Sequence, residues 1–395
     1  MRVKLSLIAL CLVMAAMLAA CGGEAKKDEK NDKKADVETG EVAKAPAPAQ
    51  KLVLGVAGAH SGDLASYGLP TVNAAELVAE KINAAGGING AMVEVMPQDD
   101  QCKPELATNV ATKLLSDGVK IVLGHICSGA TKAALPIYLS GKIVVMSPSA
   151  TNPPLTQSGD YPNFFRTISS DDAQAALDVS YAKSLGLKKI AVIHDKGDYG
   201  KGFATFAKQF VEADPGMEVA LFEGVTPGAV DYSAVVQKIK SSGADGVIFG
   251  GYHPEASKIV TGMRKKGLEI PFLSDDGVKD DTFIKVAGKY AEGVYASGPM
   301  DFSKNPLYLE AVAAHKAKYG TEPGAFFPEA YSAALALLNA VKVAGSTDYD
   351  AVCNALRTSY VDTPVGKIKF DAKGDAEGVG FSMYQVKDGN YVEVK

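Results

Sequence analysis

Polar residues of this chain gather in five short segments, each directly after an apolar run: Gly124-His125-Ile126-Cys127-Ser128, Ser147-Pro148-Ser149-Ala150-Thr151-Asn152-Pro153, His194-Asp195-Lys196-Gly197-Asp198-Tyr199-Gly200, Gly250-Gly251-Tyr252-His253-Pro254-Glu255 and Ser274-Asp275-Asp276-Gly277. In an open parallel sheet the ligand crevice lies beyond the carboxyl ends of the strands, so polar groups placed there can hold a small polar molecule. One such segment alone is ordinary turn and cap chemistry; this many at corresponding strand ends describe a cleft. Signatures of covalent or metal chemistry are missing: the sequence has no GxSxG elbow, no Walker A loop, no HExxH and no CxxC. The histidines His60, His125, His194, His253 and His315 are scattered, without metal-ligand spacing. His194-Asp195 ends a strand but has no partnered nucleophile, so it is expected to position or pack. Gly86-Gly87-Ile88-Asn89-Gly90 follows a helix, which makes it a helix stop and turn rather than a phosphate loop. A binding protein without catalytic residues, metal or cofactor is therefore expected.

The elements that must position these segments alternate. Leu52–Val56, Met92–Met96, Ile121–Gly124 and Ile143–Met146 read as strands, and Asn73–Asn83, Pro104–Ser116 and Thr131–Leu139 as helices with one apolar face. After a break near Phe165–Asp171 the pattern resumes. Strands are expected at Ile190–Ile193, Val219–Phe222, Gly246–Phe249 and Pro271–Leu273, and helices at Gly202–Val211, Tyr232–Ile239 with Asp231 as its cap, and Glu255–Lys265. Such alternation predicts α/β architecture, parallel sheets covered by helices on both faces, in two similar lobes. The remainder reads as a helix at Ala330–Val343 and hairpin strands at Val365–Phe370 and Phe381–Val394. Asp276 can also be read as the cap of a helix over Val278–Ala287.

The chain has 395 residues, enough for two domains, with 47% hydrophobic and 22% charged residues. A balance of 41 Lys+Arg against 46 Asp+Glu argues against a general nucleic-acid binder. Residues 1–20 read as an export signal: Arg2 and Lys4 precede an apolar run from Leu5 to Ala20. The ending Leu18-Ala19-Ala20-Cys21 resembles a lipobox, which makes Cys21 the expected lipidation site and the membrane attachment a lipid anchor only. Residues 21–50, rich in Lys, Asp, Glu and Pro, read as a disordered tether. Export permits a disulfide among Cys102, Cys127 and Cys353, but spacing alone does not choose the pair.

From Lys51 to Lys395 the sequence resembles the leucine/isoleucine/valine-binding proteins of branched-chain amino acid ABC transporters, most specifically at Gly124–Ser128, Ser147–Pro153, Ile193–Lys196 and Gly250–Glu255. The resemblance implies a type I periplasmic binding fold. Its two Rossmann-like lobes would be 51–169 with 301–379, and 170–300 with 380–395, joined by a three-strand hinge. It implies a Cys102–Cys127 disulfide, leaving Cys353 free. It also implies a ligand site of Tyr67, Ile126, Cys127, Ser128, Ala150, Thr151, Tyr199, Tyr252, Asp276 and Phe327. In it Ser128 and Thr151 hold a ligand carboxylate, Ala150 supplies backbone contact, and Asp276 holds an ammonium. Asp276 stands where members often carry Glu, and Tyr67 where a Trp can occur. The expected protein is a monomeric extracytoplasmic lipoprotein that delivers a small amino acid, best a branched-chain or other neutral aliphatic one, to a membrane permease. The alternative is a ligand-sensing receptor domain of the same fold for another small carboxylate or amide.

Overall fold

The computed structural model of the protein describes residues 51–394. The expected signal at 1–20, Cys21 and the tether at 21–50 lie outside these residues. The chain begins with β1 (Lys51–Gly58), α1 (Ala65–Ala84), β2 (Met92–Asp99), α2 (Pro104–Ser116), β3 (Ile121–Leu123), α3 (Ser128–Ser140), β4 (Val144–Ser147), a single turn α4 (Pro154–Gln157) and β5 (Phe164–Arg166). These strands form one parallel sheet in the order β2-β1-β3-β4-β5. Next come α5 (Asp171–Ser184), β6 (Lys189–His194), α6 (Asp198–Ala213), β7 (Glu218–Gly224), α7 (Ser233–Ser242), β8 (Gly246–Gly250), α8 (His253–Lys265), β9 (Phe272–Ser274), α9 (Asp281–Ala287) and β10 (Tyr295–Pro299). Strands β6 to β9 form a second parallel sheet in the order β7-β6-β8-β9. Last are α10 (Pro306–Tyr319), α11 (Phe327–Ala344), α12 (Tyr349–Thr358), a hairpin of β11 (Val361–Thr363) and β12 (Gly366–Ile368), and β13 (Phe381–Lys387) and β14 (Asn390–Val394), which join β10 in an antiparallel sheet.

Both parallel sheets are buried on two faces, and their side chains alternate between two cores as a period of two requires. In the first lobe Leu52, Leu54, Val56, Ile121, Leu123, Val144 and Met146 pack with α1, α11 and α12, while Val122, Val145 and Phe164 face α2 and α3. In the second, Ala191, Ile193, Val247, Phe249 and Phe272 face α7, α8 and α9, and Ile190, Val192, Ile248 and Leu273 face α5 and α6. Each fully buried aliphatic or aromatic side chain contributes about 1.5–3 kcal/mol, so four such layers hold two lobes. The third section of chain divides between them. Phe327, Leu337, Leu356, Ile368 and Phe370 complete the first core, and Val386 on β13 joins Val294 and Ala296 in the second.

The strand orders place the topological switch between β1 and β3 in the first sheet and between β6 and β8 in the second, where a crevice is expected. The helices that follow begin earlier than the sequence pattern predicts: α3 at Ser128 rather than Thr131, α6 at Asp198 rather than Gly202, α8 at His253 rather than Glu255. The polar segments therefore end inside first helical turns, where backbone N–H groups have no intrahelical partner. Two cap expectations are corrected. Asp231 is not the N-cap of α7; that position is Tyr232, although the Asp231 carboxylate accepts the Ser233 N–H at 2.9 Å. Asp276 does not cap α9: the cap is Asp280, whose carboxylate accepts the Thr282 N–H at 2.7 Å.

Candidate functional site between the lobes

In the first lobe two strand-end loops are sewn together by their own hydroxyls. Ser147 Oγ donates to the His125 carbonyl at 2.6 Å and accepts the Ala150 N–H at 2.9 Å, and Ser149 Oγ donates to the Ile126 carbonyl at 2.8 Å. Ser128, in the first turn of α3, accepts the Asn152 N–H at 3.3 Å. Behind the loop lies Arg166, fully buried. Its guanidinium donates to the carbonyls of Ala150, Thr151 and Asn152 at 3.3, 2.7 and 3.1 Å, and its charge is met by Asp375 at 2.5 Å. The Ala150–Asn152 carbonyls are thereby directed at Arg166. A disulfide between Cys102 and Cys127, with Cα atoms 5.4 Å apart, ties the loop after β2 to the loop after β3, as the resemblance implies; Cys353 is a buried free thiol.

Tyr67 reaches the cleft because Gly68 lets α1 lie against the end of β1: a Cβ there would fall 1.9 Å from the Ala59 carbonyl oxygen. Its ring is buried beside Tyr252 and Phe326, at 5.9 Å between centroids in each case, and its hydroxyl crosses to the second lobe to donate to the Gly277 carbonyl at 2.6 Å. Gly277 admits no side chain either, since a Cβ would meet the Gly251 carbonyl oxygen at 2.4 Å. From α6, Tyr199 donates its hydroxyl to Asp276 Oδ1 and accepts the Gly277 N–H at 2.9 Å, with its ring 5.1 Å from Tyr252. The lobes also meet through Asn152, which donates to the Asp198 carbonyl at 2.7 Å, and through Lys132, paired with the Asp198 carboxylate at 2.7 Å.

These groups line a small cavity of about 10 Å³. Tyr67, Ile126, Tyr252 and Phe326 supply its apolar lining, and Ser149, Tyr199, Asp276 and Gly277 complete it. The structure thus brings together Tyr67, Ile126, Tyr199, Tyr252 and Asp276. Ser128, in the first turn of α3, and Ala150 and Thr151, after β4, are buried beside it, and Cys127 faces a wider cleft beside Cys102. Phe327 lies apart from this group. Its ring packs in the first-lobe core against His315 and Tyr331, whereas Phe326 lines the cavity. The reason is backbone geometry: Phe326 is the left-handed N-cap of α11, with φ 60°, so the ring one residue earlier turns to the cleft. His194 and Asp195 make turn contacts: His194 Nδ1 accepts the Lys196 N–H at 3.0 Å and Asp195 accepts the Gly197 N–H at 2.8 Å. Among the described residues no cluster of His, Cys, Asp or Glu could hold a metal ion.

Sequence reasoning missed Ser149, Phe326 and Asp171. Asp171 opens α5 and is wholly buried; neither carboxylate oxygen has a hydrogen-bond partner, nor do Thr151 Oγ1 and Asp276 Oδ2. Burial pushes Asp171 up to about 8, opposed by the nearby Thr151 hydroxyl and reinforced by the Asp276 charge. Burial likewise raises Asp276 to about 6, opposed by the Tyr199 hydroxyl and the Gln174 amide. Asp275, whose carboxylate accepts the Gly251 N–H at 2.8 Å, is held well above the ordinary carboxylate range by burial and by Asp276. Buried acceptors without donors, at the mouths of two sheets, suit a ligand that brings a cation.

Two facing α/β lobes with a small cavity at both switch points define a two-lobed ligand-binding protein. Residues 51–390 match the family of periplasmic binding proteins, and the chain belongs to that family. It is 39% identical over 349 residues to a leucine-, isoleucine-, valine-, threonine- and alanine-binding protein of Pseudomonas aeruginosa, covering 88% of this chain and 93% of that one. It is 34% identical over 337 residues to the Leu/Ile/Val-binding protein of Escherichia coli K12, covering 85% and 91%. The fold superposes on a leucine-binding protein from Thermotoga maritima with a TM-score of 0.81 and 26% identity, covering 87% of this chain and 98% of that one. It also superposes on a branched-chain amino acid transporter substrate-binding protein from Streptococcus pneumoniae in complex with isoleucine, TM-score 0.77 and 28% identity, covering 87% and 100%. These are ligand-binding proteins rather than enzymes. Among the described residues no helix is long and apolar enough to cross a membrane.

Proposed function

We propose that this protein is the extracytoplasmic substrate-binding component of an ABC transporter, and that it binds a small neutral aliphatic amino acid, with leucine, isoleucine and valine first among them. The observation that carries the reading is the set of buried polar atoms without partners: Thr151 Oγ1, both Asp171 oxygens and Asp276 Oδ2. An α-ammonium group between Asp171 and Asp276 supplies the cation that these carboxylates need. The α-carboxylate then meets the Ser128 and Thr151 hydroxyls and the free N–H groups at the start of α3. The side chain faces Tyr67, Ile126, Tyr252 and Phe326, where the Tyr67 hydroxyl is already engaged with Gly277. A ligand touching both lobes favours their closed arrangement through contacts that exist only there, and the closed form is what a permease can distinguish. The lobes in this reading are 51–169 with 301–379 and 170–300 with 380–395. Cys21 carries the lipid that keeps the domain near its permease.

Mass spectrometry of small molecules released from purified protein, followed by calorimetry with L-leucine, L-isoleucine and L-valine, tests the reading. Micromolar or tighter binding of one of them is expected; saturation by a ligand lacking an α-ammonium, with no response to any amino acid, overturns it. Metabolic lipid labelling lost in Cys21→Ser supports the anchor, and labelling that persists there rejects it.

A further inference from the structure

Behind the first-lobe loops lies a cation whose contacts exceed what its ion pair needs. Arg166, the last residue of β5, is fully buried, and its counter-ion Asp375 is partly exposed. Backbone bonds already join the two segments: the Arg166 N–H donates to the Gly374 carbonyl at 3.0 Å, and the Arg166 carbonyl accepts the Ala376 N–H at 3.1 Å. In the side chain, Nε meets Asp375 at 2.5 Å and Nη2 donates to Thr156 Oγ1 at 2.8 Å. Nη1 turns instead to the loop after β4. It donates to three successive carbonyls, those of Ala150, Thr151 and Asn152, at 3.3, 2.7 and 3.1 Å. A clasp between β5 and Asp375 needs none of these three. Because the peptide unit is planar and trans, each carbonyl turned to Arg166 sends the following N–H the opposite way. One of these, the Asn152 N–H, is accepted by Ser128 Oγ in the first turn of α3 at 3.3 Å. The other, the Thr151 N–H, has no acceptor among the described residues. Thr151 Oγ1 is also without a partner, and Thr151 is wholly buried. Successive N–H groups turned to one side make a concave anion site.

We propose that Arg166 is a positioning residue for the ligand carboxylate: by holding the Ala150–Asn152 carbonyls it presents the Thr151 N–H, beside the Thr151 and Ser128 hydroxyls, as a donor set in place beforehand. The proposal rests on the reading of Ser128 and Thr151 as the carboxylate contact. Arg166 itself touches no ligand; the donors are fixed through the loop before one arrives. The Thr151 carbonyl is held a second time, by the Asp171 N–H at 3.0 Å, so the residue is braced from β5 and from α5. Lysine cannot do the same, because an ammonium is a point charge without the fork that reaches Asp375, Thr156 and the carbonyls together.

The test compares L-leucine with L-leucinol, which keeps the ammonium and the side chain but carries a neutral hydroxyl in place of the carboxylate, by calorimetry on the intact protein. Arg166→Lys should weaken L-leucine binding roughly tenfold, the scale of one hydrogen bond to a charged group, and L-leucinol binding less than about threefold. Equal losses for the two ligands mean a merely structural role and overturn the proposal. If Arg166→Lys does not fold, Arg166→Met combined with Asp375→Leu removes both charges of the pair, an exchange that protein interiors often tolerate, and must show the same selective loss. A second readout needs no ligand. Nitrogen-15 relaxation of ligand-free protein should give the Thr151 amide an order parameter of about 0.85 in wild type and below about 0.6 in the Arg166 variant, with the amides of β7 unchanged. A Thr151 amide that stays rigid in the variant overturns the proposal whatever the ligand proves to be. Wild-type protein that binds L-leucinol as tightly as L-leucine refutes the carboxylate contact instead, and the Thr151 amide then decides the Arg166 geometry.

Discussion

Asp276→Asn and Asp280→Ala together separate ligand contact from helix capping. The Asp276 substitution preserves shape and leaves an acceptor for the Tyr199 hydroxyl, which bonds Oδ1, but removes the charge presented by Oδ2. Loss of one partner of a buried charge pair weakens binding by about 2–5 kcal/mol, and each 1.4 kcal/mol is tenfold. Asp171 is near enough for the Asp276 charge to raise it, so a cation between them keeps one carboxylate in the variant. The loss should then fall at the lower end, about 2–3 kcal/mol or roughly 30- to 150-fold, and Asp171→Asn together with Asp276→Asn should exceed about a thousandfold. Thermal stability should not fall, because burial holds Asp276 up at about 6 and its ionised form is a burden on the closed fold at neutral pH. Asp280→Ala should behave in the opposite way. It removes the cap of α9, about 1 kcal/mol of stability, and leaves affinity unchanged. Isothermal calorimetry and thermal melts of the two variants form the assay. A folded Asp276→Asn that binds within about threefold of wild type would refute the reasoning.

Three further outcomes follow from the same geometry. Ligand-free protein should open as pH rises from about 5 to 8: closing buries Asp171 and Asp276 with raised values, so closure takes up protons and is favoured below the ordinary carboxylate range. Small-angle scattering should show this as a growing radius of gyration that saturating ligand abolishes, and a flat profile contradicts it. Asn152→Ala removes the cross-lobe bond to the Asp198 carbonyl and should raise the ligand off-rate about three- to tenfold with little change in on-rate, read by stopped-flow fluorescence of the cleft tyrosines. Replacing Cys102 and Cys127 by Ser should lower stability by about 3 kcal/mol through the loop spanning their separation of 25, measured by denaturant titration; a loss under about 0.5 kcal/mol speaks against the cross-link as a main restraint on the first lobe.

Much of the fold was legible because its strands are buried on both faces and read as unbroken apolar runs, as in Ile121–Leu123 and Gly246–Gly250. The amino-terminal half of α1 was not, since Gly68 and Pro70 read as breakers although the helix runs through both. Helix α5 escaped for a different reason. Its buried face carries Asp171, Gln174 and Asp178, so the apolar periodicity that announces an amphipathic helix is absent where the helix is most buried. The site residues on loops after strands were legible by position, and Ile126, Tyr199, Tyr252 and Asp276 line one cavity as that logic requires. The choice between Phe326 and Phe327 was not, because it depends on one left-handed residue.

What the sequence hid in α5 is also what gives the cleft its physics. Five acids, Asp171, Asp178, Asp195, Asp275 and Asp276, are buried around or behind the cavity. The buried cations beside them are already committed: Arg166 to Asp375 and the loop carbonyls, and Lys279 to a site near Glu329 and over the Tyr384 ring at 4.3 Å. Burial raises all five acids, so the closed lobes hold them at the cost of proton uptake or of unpaired charge. With the lobes apart, water solvates the acids that face the cleft and no such cost arises. An α-ammonium changes the sign of this difference for Asp171 and Asp276, which then gain a partner on closing instead of losing their solvent. Closure is thereby conditional on a ligand of the right charge, and apolar contacts with Tyr67, Tyr252 and Phe326 need only choose among side chains.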